Sequence, residues 1–355
     1  EGVCLACRYY EKKEKIDWKQ KEKQLGDILD QHRRSDGHYD VLVPGSGGKD
    51  SIFTSFILKE KYNMNPLTCT WAPGIYTDIG LKNYKSWLDT GFDNFLYTPN
   101  TKVHGLLTKL AFKNLLHPFQ PFILGQNTFA SKLAVEKKIK LVVYGDGGSE
   151  RVVGKNTNEK LERWYYASRD DDIFLGGEHE KDLREKYKLS KNDLLPYMPI
   201  YEDTINESNL EILHITDFFN YNPQNNYYFA KEKTNFQVNP DGRSEGTYTK
   251  YQSLDDKLDG LHYYTWFIKT GRGRATDDAA LEVRNKIITR DEAISLVKKY
   301  DGEFPKKYFK DCLNHMDITE NEFFETIEKF RPDHVWRNQN GKWELKKAVW
   351  HENNK

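Results

Sequence analysis

Apolar residues along the first 150 positions fall into two patterns. Short continuous apolar runs predict strands, because a strand inside a parallel sheet is buried on both faces. These runs are Tyr39–Val43, Pro66–Trp71, Asn94–Tyr97 and Leu141–Tyr144. Segments with apolar residues at helical spacing predict helices over Asp50–Tyr62, Leu81–Thr90 and His104–Lys137, the last as one helix or two. This alternation predicts an α/β fold, with a parallel sheet and helices on both faces.

The pattern of apolar residues is different before and after this series of predicted strands and helices. Residues 11–34 are densely charged and predict a surface helix with one narrow apolar face, formed by Ile16, Trp18, Leu25, Ile28 and Leu29. Residues 155–239 are polar and rich in aromatic side chains, which predicts loops and insertions with a few helices. Capping boxes Thr289-x-x-Glu292 and Thr319-x-x-Glu322 predict a mostly helical C-terminal region. We therefore divide the chain into residues 1–38, 39–185 and 186–355.

Composition and charge limit the classes of function. A hydrophobic content of 37% in 355 residues is enough for a packed core, and 30% of the residues are charged. Lys+Arg and Asp+Glu both number 54, so no global charge favours nucleic acid or an anionic membrane as a partner. The apolar runs are too short to span a membrane, and no signal peptide is visible. We expect a cytoplasmic location, and because the first residue is Glu1, we expect the natural protein to extend further upstream.

Four cysteines do not form a disulfide framework, which agrees with a reducing compartment. Cys4 and Cys7 have the spacing of half a tetrahedral zinc site, and we predict that they bind Zn²⁺ when further ligands are present. The alternative is a reduced pair without metal. Cys69 lies in an apolar strand and Cys312 in a helical segment, so both are predicted to be buried.

A glycine-rich loop, Ser46-Gly47-Gly48-Lys49-Asp50-Ser51, follows the first predicted strand and precedes a helix. At such a position backbone N–H groups and the helix dipole bind phosphate, and glycines let the backbone approach the phosphate oxygens closely. Ser46 and Ser51 add hydroxyls, and Lys49 adds a positive charge. Asp50 is expected either to cap the helix or to hold a Mg²⁺ ion.

Two common nucleotide motifs do not fit this loop. A Walker A loop requires Ser or Thr after the lysine, where this chain has Asp50, and a dinucleotide fingerprint requires glycine at the same position. The pattern S-G-G-x-D-S after a strand instead resembles the PP-loop of the ATP pyrophosphatases, which cleave ATP between its α and β phosphates. ATP and Mg²⁺ are thus the predicted ligands, and a simple capped turn is the alternative.

A second loop, Tyr144 to Glu150, follows the last predicted strand of the series. Ligands of open α/β sheets bind at the carboxyl ends of the strands, so we predict that Gly145 and Asp146 belong to the site, with Asp146 catalytic. A tight turn is the alternative. By the same reasoning Thr70 and Trp71, at the end of another strand, are predicted to line the adenine pocket, unless they are ordinary strand residues.

Nearly the whole chain resembles the N-acetyl sugar amidotransferases of surface-polysaccharide and flagellar-glycan pathways. The residues that carry the resemblance are Glu1–Cys7, Ile16–Trp18, Pro44–Ser51, Tyr144–Glu150, Gly242–Tyr251, Ser253–Lys257, Gly271–Ala279, Ile288–Ala293 and Lys299–Pro305. The resemblance implies a PP-loop ATP pyrophosphatase domain over residues 39–185 and a substrate or partner region over residues 186–355. It also implies a further Cys-x-x-Cys upstream, which would complete the zinc site.

The resemblance implies a reaction as well. AMP would be transferred from ATP to the oxygen of an acetamido sugar, which the resemblance implies to be nucleotide-linked, and ammonia would then displace AMP to leave an acetamidine. Lys49 and a metal would share the charge of the departing pyrophosphate, and Asp50 is predicted to be catalytic with Lys49. Since no nucleophile-elbow cysteine is visible, a separate glutaminase subunit would supply ammonia. The oligomeric state stays open, with a homo-oligomer among the alternatives.

Charged residues in the C-terminal glycine-rich segments are candidates for substrate binding. Arginine binds carboxylate and phosphate through two parallel hydrogen bonds, which favours Arg243, Arg272 and Arg274, together with Glu245. The alternative is that these arginines pair with the acidic residues Asp277, Asp278 or Glu282.

Two other functions fit the same loop. One is a PP-loop enzyme that modifies tRNA, although the balanced charge gives little support for a nucleic-acid surface. The other is a nucleotide-binding subunit without catalytic activity, since a fold does not dictate a function.

Overall fold

The computed structural model describes residues 5–145, 166–167 and 174–351 of the 355-residue chain. Its strands are β1 Val41–Pro44, β2 Pro66–Trp71, β3 Asn94–Tyr97, β4 Leu141–Tyr144, β5 Tyr166–Ala167, β6 Phe174–Leu175, β7 Glu178–His179, β8 Ile200–Tyr201, β9 Glu211–His214, β10 Trp336–Gln339 and β11 Lys342–Leu345. Its α-helices are α1 Leu5–Lys13, α2 Trp18–Gln31, α3 Lys49–Phe56, α4 Asp78–Leu88, α5 Thr101–Leu115, α6 Gln120–Lys137, α7 Glu180–Tyr187, α8 Lys191–Leu194, α9 Glu202–Glu207, α10 Pro223–Lys233, α11 Asp259–Thr270, α12 Arg274–Arg284, α13 Arg290–Tyr300, α14 Phe309–Met316 and α15 Glu320–Lys329.

Five parallel strands form the central sheet in the order β3-β2-β1-β4-β9. The chain runs outward from β1 through β2 to β3, and β4 then returns to the other side of β1. The order therefore reverses between β1 and β4, and a crevice opens there at the carboxyl ends of the strands. The parallel sheet predicted from the sequence is confirmed. The fifth strand was not predicted, and at residues 211–214 it lies beyond the range 39–185 assigned to the α/β domain.

Helices cover both faces of the sheet, as predicted. Leu42 and Val142 point to the face on which α6 packs through Ala130, Leu133 and Ala134. The alternate positions point to the opposite face, against Leu25 and Leu29 of α2 and Leu58 after α3; they are Val41, Val43, Leu141 and Val143. Both sides of these strands are thus buried, which explains their continuous apolar sequence.

Helix ends follow local sequence signals. The helical segment predicted over His104–Lys137, as one helix or two, is divided between two helices. The break occurs because Leu116 adopts a left-handed conformation with φ of 47° and Pro118 follows it. Both predicted capping boxes are present, with Thr289 and Glu292 at the start of α13 and Thr319 and Glu322 at the start of α15. The region over residues 259–329 is helical, as expected.

The C-terminal helices pack against the α/β part through a shared apolar cluster. Phe112 of α5 stacks on Phe323 of α15, with ring centroids 5.1 Å apart and planes at 1°. Cys312 and Met316 of α14 are buried in the same cluster. The burial predicted for Cys312 and Cys69 is confirmed, with 1% exposure for each. Within residues 5–145, 166–167 and 174–351, no helix combines the length and the apolar character needed to cross a bilayer.

Candidate nucleotide site and the adjoining cavity

The glycine-rich loop lies at the crevice between β1 and β4. It leaves the carboxyl end of β1 at Pro44 and enters α3 at Lys49, with Gly48 as the N-cap residue. The N-cap has no side-chain hydrogen bond to the first turn, so the first N–H groups of α3 face the crevice without a side-chain cap. This arrangement is a binding position for an anion.

Two glycines of the loop are required by its geometry. Gly47 has φ of +79°, and a Cβ atom on it would lie 2.6 Å from Cα of Tyr84. A Cβ atom on Gly45 would lie 2.2 Å from Cβ of Ser51. Larger residues would push the loop away from α3 and α4 and out of its present curvature.

Lys49 and Asp50 form an ion pair at the start of α3. The Lys49 ammonium donates to Asp50 Oδ2 at 2.6 Å, and the side chain of Lys49 is 5% exposed. Asp50 also accepts from Asn226 Nδ2 at 2.8 Å, which joins α3 to α10. Asp50 therefore does not cap the helix, which was one of its two predicted roles. Ser51 donates to the Gly48 carbonyl at 2.9 Å and closes the first turn.

The end of β4 completes this crevice. A Cβ atom on Gly145 would lie 2.9 Å from the Asp50 carbonyl oxygen, so the strand end and the loop are in close contact. Around them is a cavity of about 230 Å³, whose walls come from the loop, α4, β4 and residues 251–255. The structure thus brings together the predicted residues Ser46, Gly47, Gly48, Lys49, Asp50, Ser51 and Gly145. Asp146, the third predicted catalytic residue, lies outside the described residues.

Thr70 and Trp71 are not among the residues that line this cavity. Thr70 is buried in β2 and accepts from Asn94 Nδ2 at 3.1 Å. Trp71 is 5% exposed and stacks on Tyr97 with centroids 4.9 Å apart. Among the described residues, their position corresponds to the alternative of ordinary strand residues.

A second, larger cavity of about 540 Å³ lies in the C-terminal region. It is lined by residues 239–245, 253–260 and 303–312, and Ser253 lines both cavities. Ser253 has φ of 54°, an unusual conformation for serine. Left-handed residues other than glycine are found at functional sites more often than elsewhere. Because Ser253 lines both cavities, the two cavities are adjacent, and Ser253 separates them.

Arg243 and Glu245 line the second cavity, but their charged groups are engaged within the protein. Arg243 makes a bidentate pair with Glu303, at 2.6 and 2.7 Å, which raises the pKa of the guanidinium. Glu245 accepts from the backbone N–H of Lys306 at 2.8 Å and of Lys307 at 3.2 Å. Burial raises the pKa of Glu245, and these two N–H groups oppose the rise. These contacts join residues 241–246 to residues 303–307.

Arg272 and Arg274 do not line either cavity. Arg272 pairs with Asp277 at 3.2 Å and lies over the ring of Trp266. Arg274 donates through Nε to both carboxylate oxygens of Asp278, each at 3.0 Å. The pairing with Asp277 and Asp278 was the alternative stated from the sequence. Arg274 also donates to the Tyr263 hydroxyl at 3.1 Å, and the Tyr263 hydroxyl in turn lies 2.6 Å from Ser253 Oγ.

Sequence reasoning missed three carboxylates near Ser253. Asp255 lines the first cavity, and Asp256 and Asp259 line the second. Burial raises the pKa of Asp256 to about 8 and that of Asp259 well above its usual range. The available signal was the spacing of three acidic residues within residues 253–259. The family resemblance included Ser253–Lys257 without assigning it a role, and Asp259 lies just beyond that segment.

The structure describes only part of the predicted zinc site. Cys7 is half-buried on α1, and Cys4 lies outside the described residues. In the part of the chain that the structure describes, no group of three His, Cys, Asp or Glu side chains has an arrangement that would bind a metal ion. Zinc binding by Cys4 and Cys7 stays a prediction.

Residues 245–349 match the family model of the C-terminal domain of WbpG-like LPS biosynthesis proteins. The resemblance to surface-polysaccharide enzymes is thereby confirmed over the C-terminal region. A search of curated proteins found no match.

Two solved structures show distant similarity. An NH3-dependent NAD synthetase from Campylobacter jejuni is 15% identical with a TM-score of 0.32, and the alignment covers 40% of this chain and 62% of the synthetase. The U34-tRNA thiolase NcsA from Methanococcus maripaludis is 11% identical with a TM-score of 0.32, and the alignment covers 79% of each chain.

Proposed function

We propose that this chain is an ATP-dependent amidotransferase that converts the N-acetyl group of a sugar, most suitably a nucleotide-linked one, into an acetamidino group. The observation that carries the proposal is the contact between two cavities at Ser253. One cavity contains a PP-loop, and the other lies largely in the segment that matches a surface-polysaccharide family. This arrangement supports a reaction in which AMP passes from ATP to a sugar.

Chemistry explains why such an enzyme needs ATP. An amide carbon is a poor electrophile and its oxygen a poor leaving group. Transfer of AMP from ATP to the acetamido oxygen releases pyrophosphate and makes that oxygen part of a good leaving group. Ammonia then attacks the carbon, AMP departs, and an acetamidine remains.

The loop at β1 would bind the phosphates. Gly45 and Gly47 allow its tight curvature, and the start of α3 supplies N–H groups for an anion. Lys49 is buried beside the loop and would stabilise negative charge as pyrophosphate departs. Mg²⁺ would be held mainly by the phosphates, with Asp50 as the protein ligand, since Asp50 lies in the first turn of α3 and lines the cavity.

Ammonia would come from a separate glutaminase. A glutaminase of the cysteine type needs a reactive thiolate, and burial raises the pKa of both Cys69 and Cys312 well above the usual range. Neither thiol is suited to attack glutamine. This supports the partner that the resemblance implies.

The proposal is tested by incubating the protein with ATP, Mg²⁺, an ammonium salt and a panel of nucleotide-activated diacetamido sugars. Mass spectrometry should show a product in which NH replaces one acetamido oxygen, together with AMP and pyrophosphate. Lys49→Ala should lose both products, whereas Lys59→Ala, a change of an exposed lysine after α3, should keep them.

Other outcomes separate the alternatives. ATP binding without AMP or pyrophosphate would support the nucleotide-binding subunit, and formation of ADP would contradict the assignment of the PP-loop. AMP formation that depends on tRNA and not on the sugar would support the tRNA-modifying enzyme.

A further inference from the structure

The wall between the two cavities carries a concentration of negative charge. Asp255 lies on the side of the nucleotide cavity, and Asp256 and Asp259 lie on the side of the larger cavity. Asp256 is 3% exposed and Asp259 is 8% exposed, and among the residues that the structure describes Asp256 Oδ2 has no hydrogen-bond partner. Buried carboxylates that are incompletely paired are costly, so their presence calls for an explanation in terms of function.

Of the three carboxylates, Asp259 has the surroundings that best suit proton transfer. It faces the carboxylates of Asp255 and Asp256, the guanidinium of Arg274 and the hydroxyl of Ser253, and its charge also acts on the Tyr263 hydroxyl. Burial is the main cause of its raised pKa, and the two carboxylates add to the rise. Arg274 and Ser253 oppose it. A carboxylate in these surroundings accepts a proton more readily than one in water.

A short series of polar groups lies at the border of the two cavities. The Tyr263 hydroxyl lies 2.6 Å from Ser253 Oγ, and either group can be the donor. Tyr263 also accepts from Arg274, the first residue of α12, because a guanidinium can only donate. Ser253 and Asp259 both line the larger cavity, and the Ser253 hydroxyl lowers the pKa of Asp259.

We propose that Asp259 is the general base of the amination step and removes a proton from ammonia nitrogen as it adds to the activated acetamido carbon. The inference rests on the function proposed above. Ser253, at the border of the two cavities, brings this carboxylate to the place where the adenylylated end of the sugar would meet the nucleotide cavity.

The step balances in atoms and charge. Ammonia forms a bond to the carbon of the O-adenylyl imidate, which is protonated on the sugar nitrogen, and the new nitrogen carries a positive charge. Asp259 takes one proton from that nitrogen and becomes neutral. The C–O bond then breaks, its electron pair leaves with AMP, and an acetamidinium remains. Asp259 returns its proton to solvent before the next cycle.

The two halves of the proposed reaction would take place beside groups of opposite charge. The PP-loop offers Lys49 and a helix N-terminus, which attract phosphate. The segment from Asp255 to Asp259 offers three carboxylates, which repel phosphate and attract ammonium or a developing cation. Asp259 is thus placed for the step in which positive charge develops on nitrogen, rather than for the release of pyrophosphate.

The first test separates adenylation from amination. In Asp259→Asn, sugar-dependent exchange of pyrophosphate into ATP should persist, whereas amidine formation should fall by about a hundredfold or more. Asp317→Asn is the matched control, because Asp317 is fully exposed and asparagine tolerates its left-handed conformation. Full amidine formation by Asp259→Asn would overturn the inference. Absence of exchange in the unmodified protein would instead contradict the proposed function itself.

The second test uses pH, at a constant concentration of unprotonated ammonia. Amidine formation should rise with pH as Asp259 loses its proton. Ser253→Ala removes a hydrogen bond that lowers the pKa of Asp259, so the rise should move to higher pH. A purely structural role would lower the rate at all pH values without moving the profile, and that result would also overturn the inference.

Discussion

The glycine-rich loop after β1 and the wall of the larger cavity differ in how they are built. The glycine-rich loop consists of neighbouring residues, and its geometry depends on backbone conformation at Gly45 and Gly47. The wall is held together by side chains distant in sequence, such as Arg243 with Glu303. The first kind of site tolerates almost no substitution at its glycines. The second divides its stability among several contacts, so each of them should matter less.

The largest effect is expected from Gly47→Ala. The new Cβ atom would lie 2.6 Å from Cα of Tyr84, and φ of +79° is unfavourable for alanine. AMP formation should fall by about a hundredfold or more, as when a preorganised anion-binding group is lost. Gly37→Ala is the control, since Gly37 has φ of +81° but no atom within 4 Å of its Cβ position. Equal losses in both variants would show that strain, and not loop position, controls activity.

Lys49→Met is expected to have the next largest effect. It removes the positive charge beside the departing pyrophosphate and leaves Asp50 without its ion-pair partner. We expect a decrease in kcat of about a hundredfold, with a smaller change in KM for ATP. Steady-state assay of pyrophosphate release measures both constants. A change in KM alone would indicate that Lys49 only binds ATP in the ground state.

Disruption of the Arg243–Glu303 pair tests the second kind of site. Arg243→Gln should lower the free energy of unfolding by about 1 kcal/mol, because the pair is partly exposed. Urea unfolding of the two single variants and of the double variant with Glu303→Gln measures the coupling energy. If Arg243 instead binds substrate, KM for the sugar should rise in Arg243→Gln and stay unchanged in Glu303→Gln.

The smallest effect concerns Glu322, which lies outside both cavities. Its hydrogen bonds from Lys113 and from the capping box with Thr319 lower its pKa to about 2. A carboxylate with a depressed pKa stabilises the fold above its unfolded pKa, and this contribution is lost as pH falls toward 2. Glu322→Gln should therefore have a slightly lower Tm than the unmodified protein at neutral pH. The difference should vanish in acid, and no change in enzyme activity should accompany it.

The same contrast between neighbouring and distant residues explains which parts of the molecule could be predicted from the sequence. Strands β2, β3 and β4 were predicted with their exact limits. β2 and β4 are buried throughout, which gives continuous, largely apolar runs, whereas β3 is an edge strand whose Phe95 and Leu96 are exposed. The position of the glycine-rich loop between β1 and α3 was predictable because its six residues are consecutive and follow a strand. β9 is as short as β3 and β4, but it was missed because it alternates between buried and half-buried residues and follows a long polar segment of the sequence.

The larger cavity was not predictable from local sequence. Its walls combine residues 239–245, 253–260 and 303–312, and only the folded chain shows which charges pair. Arg243 and Arg274 were predicted to bind substrate, and that stays a prediction; their partners Glu303 and Asp278 are seen only in the folded chain. The role proposed for Asp259 depends on burial, which the sequence alone does not show.

The position of β9 has a consequence for synthesis of the chain. β4 ends at Tyr144, and its neighbour β9 begins only at Glu211, so β4 remains an edge strand until that later segment has been made. An exposed edge of apolar residues such as Val142 and Val143 can pair with other chains. Nascent chains should therefore be most prone to aggregation after β4 has left the ribosome and before β9 has followed it.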